Sequence, residues 1–315
     1  MPSREGRTDE LEKSATHRVA PGVANLELFR TGLFRWIMLA PSLLLLLGVS
    51  VFPLLYSIQI SLFSFRFGSP YEFVGLDNYS HLFRDPGFWN ALAITTVFTL
   101  FAVAIEFLLG LGLALLVAGD FRFKGLFRTA FMLPMVVTPV IVGITFRFIF
   151  TSDLGVVSYL TQLTFGKQFN FLSTPELALP AVIAVNVWEW TSFMFLILLA
   201  GLQSLPIEPF EAARVDGASP WQTFRDFTLP LLRPIILVAL LIRTMDAFTT
   251  FDSIFILTGG GPGTSTETLS LYVYNTAFQF SQLGYAAAMA LVILLLLVAV
   301  SRLFIGFLGQ QVRAV

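Results

Sequence analysis

The chain of 315 residues has no cysteine, only two histidines and few charges, with Asp, Glu, Lys and Arg together making up 12%. Without thiols there is no disulfide, no thiolate nucleophile and no cysteine-based zinc site. His17 and His81 lie far apart in polar stretches, so no metal site is assigned. A formal net charge of −1 offers no basic footprint for nucleic acid. The phosphate-cradling pattern G-x-x-x-x-G-K-[ST] is missing too: Gln168 follows the single Gly-Lys pair, Gly166 and Lys167. The "TGGGPG" run at 258–263 has the glycines of such a cradle but no lysine, and reads as a flexible turn. H-E-x-x-H, G-x-S-x-G and aspartate-rich metal motifs are also lacking, which leaves no catalytic residue to name.

What the chain has in abundance is apolar sequence, 56% hydrophobic with a mean hydropathy of +0.80. Crossing a bilayer in helix takes about 20 apolar residues. Six runs meet that need, near 36–62, 91–118, 129–150, 178–202, 234–257 and 284–307, so the expectation is an all-α polytopic membrane protein with about six transmembrane helices. The first run, "WIMLAPSLLLLLGVSVFPLLYSIQISL", exceeds a signal-peptide core and ends without a small-residue cleavage site, so it is read as a retained helix. Lys and Arg number six in the N-terminal tail, three at 119–128, three at 203–233 and two at the C-terminal end, against Arg66, Arg84 and Lys167 on the opposite side. That bias predicts cytoplasmic termini. Residues 1–35 are expected as a polar cytoplasmic tail, 36–310 as the transmembrane domain and 311–315 as a short cytoplasmic tail. Within the first, "LELFRTGLFRW" suits either a helix lying along the membrane surface or a simple basic flank.

Six ionisable residues fall inside these spans: Glu106, Arg147, Glu189, Arg243, Asp246 and Asp252. Each is costly in hydrocarbon and should face protein or water. Arg243 and Asp246, three apart on a helix, are a candidate intramembrane ion pair; Asp246 and Glu106 are also candidates for a solute pathway. Arg147 and Asp252 lie near span ends, from which they can reach the interface. In "NVWEW", Asn186 shares a helical face with Glu189 or Trp190. An amide, a carboxylate and an indole there suit a sugar, whose hydroxyls the polar groups bond while the ring covers its C–H face. A hydrogen bond between helices is the other reading of Glu189.

Between the fourth and fifth runs lies the charged segment 203–233, containing "EAARVDGASPWQTFRDFTLPLLRP". Its local pattern predicts two short helices around a turn. Glu208 and Pro209 start the first and Gly217 ends it in a left-handed conformation. Ser219, Pro220 and Gln222 supply an N-cap, an N1 proline and a capping-box partner for the second.

The string E-A-A, three residues, G, and L-P twelve residues beyond resembles the EAA loop of permease subunits in binding-protein-dependent ATP-binding cassette importers. Glu211, Ala212, Ala213, Gly217, Leu229 and Pro230 occupy the motif positions, with Asp216 and Ala218 in the "DGA" form; Phe227 stands where isoleucine is frequent. "GLDNYSHLFRDPGFWNALAITTVFT" and "FILTGGGPGTSTETLSLYVYNTAF" extend the resemblance to sugar permeases of the maltose and glycerol-phosphate type, with the type I importer fold, over about 35–307.

The resemblance implies a multi-pass protein of the cytoplasmic membrane that pairs with a second permease subunit. It implies coupling through the EAA loop to a separate ABC ATPase dimer that binds ATP and Mg, with no cofactor on this chain. An extracytoplasmic solute-binding protein would deliver a mono-, di- or oligosaccharide or polyol. A phosphorylated or anionic polyol such as glycerol phosphate is the alternative cargo. An ion-coupled secondary transporter fits less well, since no repeated halves are visible.

Overall fold

The computed structural model describes residues 36–66, 68, 70–119, 122–152 and 155–312, with side chains through Phe307. The expected tail 1–35, with its surface-helix segment up to Arg35, lies outside them. The chain divides into two compact units, Met1–Ser57 and Ile58–Val315. The described part of the first is helical. Helix α1, Trp36–Ser61, begins there, contains a π-helical stretch at Leu47–Val51, and has Ser42 and Ser57 hydroxyls bonded to the Leu39 and Pro53 carbonyls.

The second unit is mainly helical among its described residues, with a short antiparallel ribbon of β1 (Phe63–Ser64) and β2 (Glu72–Phe73), Phe63 opposite Phe73. Helix α2, Asp77–Arg84, leads to α3, Pro86–Ala118. Asp85 caps α3 by accepting from the Gly87 N–H at 2.8 Å, and Pro86 supplies the fixed φ of a first helical position. Asp85 also accepts hydrogen bonds of 2.6 Å from the hydroxyls of Tyr272 and Tyr285.

Next come α4, Lys124–Val136, and α5, Pro139–Phe150, which meet at 93° where hydropathy shows one run at 129–150. Pro139 explains the corner, because the residue before a proline is driven out of helical conformation, and Thr138 is extended. Helix α6, Val156–Phe165, precedes α7, Pro175–Gln203. Among the described elements, the pairing of α3 with α7 is the most extensive. It closes over Gly110, where a β-carbon would stand 2.6 Å from the Met194 Cβ.

Helix α8, Glu208–Val215, is followed by α9, Pro220–Phe248, which passes through a π-helical stretch at Phe224–Thr228. Helices α10 (Asp252–Leu257), α11 (Leu269–Tyr274) and α12 (Leu283–Val312) complete the fold. The run expected at 234–257 is therefore also interrupted, by non-helical Thr249–Phe251. There the Thr249 and Thr250 hydroxyls bond back to carbonyls of Met245 and Asp246.

Among the described residues, five helices are long and apolar enough to cross a membrane, six if α4 and α5 count as one span. The expected all-α polytopic class holds. Among the described residues, buried apolar side chains form three groups: one around Phe98, Val182, Met194 and Ile254, one around Leu82, Phe88, Leu269 and Met289, and one around Leu111, Phe195, Leu199 and Leu232.

Candidate functional site

The charged segment folds as a tight helical hairpin. Glu208 and Pro209 open α8, and Gly217 ends the turn at φ 75°, a conformation that costs a residue with a β-carbon. The Ala218 N–H reaches back to the Ala213 carbonyl at 2.9 Å. Ser219 and Gln222 form a reciprocal capping box, with bonds of 2.8 and 3.3 Å. The motif residues divide by environment. Ala213 is buried, and Leu229 packs on the core around Phe195 and Leu232. Glu211, Ala212, Asp216 and Gly217 are exposed, as are the apolar Ile207, Val215 and Trp221. Ala218 and Pro230 are half-buried.

At the other end of α9, Arg243 is buried to 1% exposure at the meeting of α3, α7 and α9. Its guanidinium donates to both carboxylate oxygens of Glu106, Nε at 2.6 Å and Nη2 at 2.9 Å. Nη1 donates to Asp246 at 2.6 Å, and Nη2 also donates to the Asn186 side-chain oxygen. The indole of Trp190 lies against the cation, 4.7 Å from ring centre to Cζ. Planar, delocalised and never deprotonated, arginine suits such a buried fork better than lysine.

Beside this cluster is a cavity of about 190 Å³ lined by Pro139, Glu189, Trp190, Asp246, Thr249, Thr250, Phe251, Asp252 and Ser253. Glu189 is 2% exposed, and its Oε2 has no hydrogen-bond partner among the described residues. Irregular backbone at membrane depth is tolerated where it lines a cavity, and the break after α9 does so. The solute-pathway candidates of the sequence thus come within one neighbourhood: Glu106, Asn186 and Trp190 around Arg243, Asp246 shared between cluster and cavity, and Glu189 on the cavity wall. Arg147 lies apart, donating to the Ile256 carbonyl at 3.1 Å.

Sequence reasoning did not find the Glu106–Arg243 pair, nor Thr249, Thr250 and Ser253 on the wall. For the threonines a signal exists: paired hydroxyls next to an intramembrane aspartate favour bonds to the preceding turn over a continued helix.

Among curated proteins, the chain is 38% identical over 271 residues to the sulfoquinovosyl glycerol transport system permease protein SmoG of Agrobacterium fabrum, covering 85% of this chain and 88% of that one. It is 34% identical over 264 residues to the trehalose/maltose transport system permease protein MalF of Thermococcus litoralis, covering 84% and 89%. In fold it resembles a chain in the crystal structure of a bacterial ATP-binding cassette transporter involved in import of the acidic polysaccharide alginate. The TM-score is 0.80 and the identity 23%, over 91% of this chain and 99% of that one. Residues 106–314 match the family of binding-protein-dependent transport system inner membrane components. From the hairpin to the cavity, the chain is a transport subunit of the inner membrane and belongs to that family.

Proposed function

We propose that the chain is one of two permease subunits of an ATP-driven importer that moves a carbohydrate inward by alternating access. The observation that carries this reading is the continuity of α9. One helix, Pro220–Phe248, starts at the exposed hairpin and ends at the Arg243–Asp246 cluster beside the cavity. Force applied to the hairpin is thereby delivered to the solute pathway.

In this reading Glu211, Asp216 and Gly217 belong to the surface that docks on a separate ATPase dimer holding ATP and Mg. Both termini and the hairpin are cytoplasmic, and a solute-binding protein loads the opposite face. The second permease subunit is a different chain. Asn186, Glu189, Trp190 and Asp246 line the solute's route, and Glu106 holds Arg243 in register. The cargos named for SmoG and MalF favour a glycoside over a phosphorylated polyol.

Co-expression with the cognate partner subunits tests the assignment. The expected result is a complex that takes up, with ATP, the carbohydrate its binding protein captures. A chain that purifies without an ATPase, or a binding protein that holds an amino acid, would refute it.

A further inference from the structure

The charges around the cavity are unequally matched. Glu189, Asp246 and Asp252 line it, and among the described residues no Lys, Arg or His does. Arg243, the cation bonded to the lining residue Asp246, is engaged in four hydrogen bonds to Glu106, Asp246 and Asn186, with Trp190 over its face. Glu189, almost wholly buried, keeps an oxygen without a partner on the same wall. A carboxylate accepts hydrogen bonds, and it donates none when ionised. Any anionic group entering here would meet like charge with no free donor of matching strength.

Resting on the carbohydrate-importer reading, we propose that this cavity selects cargo by charge. It admits parts of the solute that present uncharged or cationic donors, hydroxyl or ammonium, and excludes carboxylate, phosphate and sulfate substituents. Glu189 and Asp252 are the specificity-determining residues. Glu189 receives the donor in the depth of the cavity, and Asp252, exposed on its rim, repels anions at the entrance. Asp246 is already bonded to Arg243 and contributes less.

Because the chain has no cysteine, Thr250→Cys introduces its sole thiol, on the cavity wall. In the assembled complex, the rate of modification of this chain is measured with three methanethiosulfonates: the anionic sulfonatoethyl, the neutral methyl and the cationic trimethylammonioethyl reagent. Each rate is divided by that for free cysteine. The expected result is that the anionic reagent falls behind the neutral one by about tenfold, the scale set by one or two like charges within several ångströms in a partly aqueous site. A cationic rate above the neutral one identifies ammonium recognition, and equal rates identify hydroxyl recognition. Asp252→Asn and Glu189→Gln, made separately in the Thr250→Cys background, should each bring the anionic rate toward that of free cysteine. Equal normalised rates for anionic and neutral reagents, or a deficit that both neutralising substitutions leave intact, would overturn the proposal. The readout is independent of uptake, so it can fail while the importer reading stands, and the reverse.

Discussion

Arg243 is the residue on which the buried polar chemistry converges. Breaking a buried ion pair by removing one member strands the other, at about 3–5 kcal/mol, whereas replacing both by apolar groups is often close to neutral. Arg243 keeps Asp246 and Asn186 if Glu106 is lost, whereas Glu106, wholly buried, is held by Arg243. Arg243→Met should therefore lower the melting temperature of the purified complex strongly, and adding Glu106→Leu should recover most of the loss, because Asp246 is half-exposed and can meet water. An Arg243→Met complex that melts like wild type would show that the pair carries no stability.

Asp85 makes a second test at this scale. Burial raises its affinity for a proton, but the hydroxyls of Tyr272 and Tyr285 and the Gly87 N–H outweigh that and hold its carboxyl below the ordinary value. Tyr272 is pushed up, first by burial and then by its bond to Asp85. A depressed acid contributes stability that is fully present above its unfolded pKa, about 4, and is lost as pH falls through the folded value. Asp85→Asn should lower the melting temperature at neutral pH and flatten its fall in acid. An unchanged acid limb would place the pH sensitivity elsewhere.

Among elements, the hairpin depends on the backbone conformation of a single residue. A Cβ at Gly217 meets no atom within 4 Å, so only the φ of 75° opposes a side chain there. Gly217→Val should cost on the order of 1–2 kcal/mol locally and reduce ATPase co-purification while the permease still inserts. Normal co-purification would mean that the turn's geometry is unimportant for docking. This hairpin was legible in the sequence because its determinants are local: Pro209, Gly217 and the Ser219–Gln222 box lie within a few residues of the bonds they make. The corner at Pro139 and the break after Phe248 were not, since hydropathy averaged over a window passes through a bend. Nor was the partner of Arg243. The Arg243–Asp246 bond is three residues long and could be anticipated, whereas Glu106 lies 137 residues away and is brought near by the packing of α3 against α7 and α9.

Over the whole molecule, the bias of Lys and Arg predicts which end faces the cytoplasm. Thr264, in the turn after α10, and Gln203, at the end of α7, are both exposed. In intact cells Thr264→Cys should react with an impermeant maleimide, and Gln203→Cys only after permeabilisation. The opposite pattern would invert the orientation and remove the hairpin from the ATPase. The Arg243 cluster also sets the kinematics of any transport cycle. Its bonds reach α3 through Glu106 and α7 through Asn186 from a base on α9. Pulling α3 away from α9 would leave the Glu106 carboxylate unmatched in hydrocarbon, at a cost of several kcal/mol, while α7 is held by the Asn186 bond and by its packing on α3. The three helices therefore travel as one block, and the aperture that opens and shuts lies along that block's boundary, not between its members.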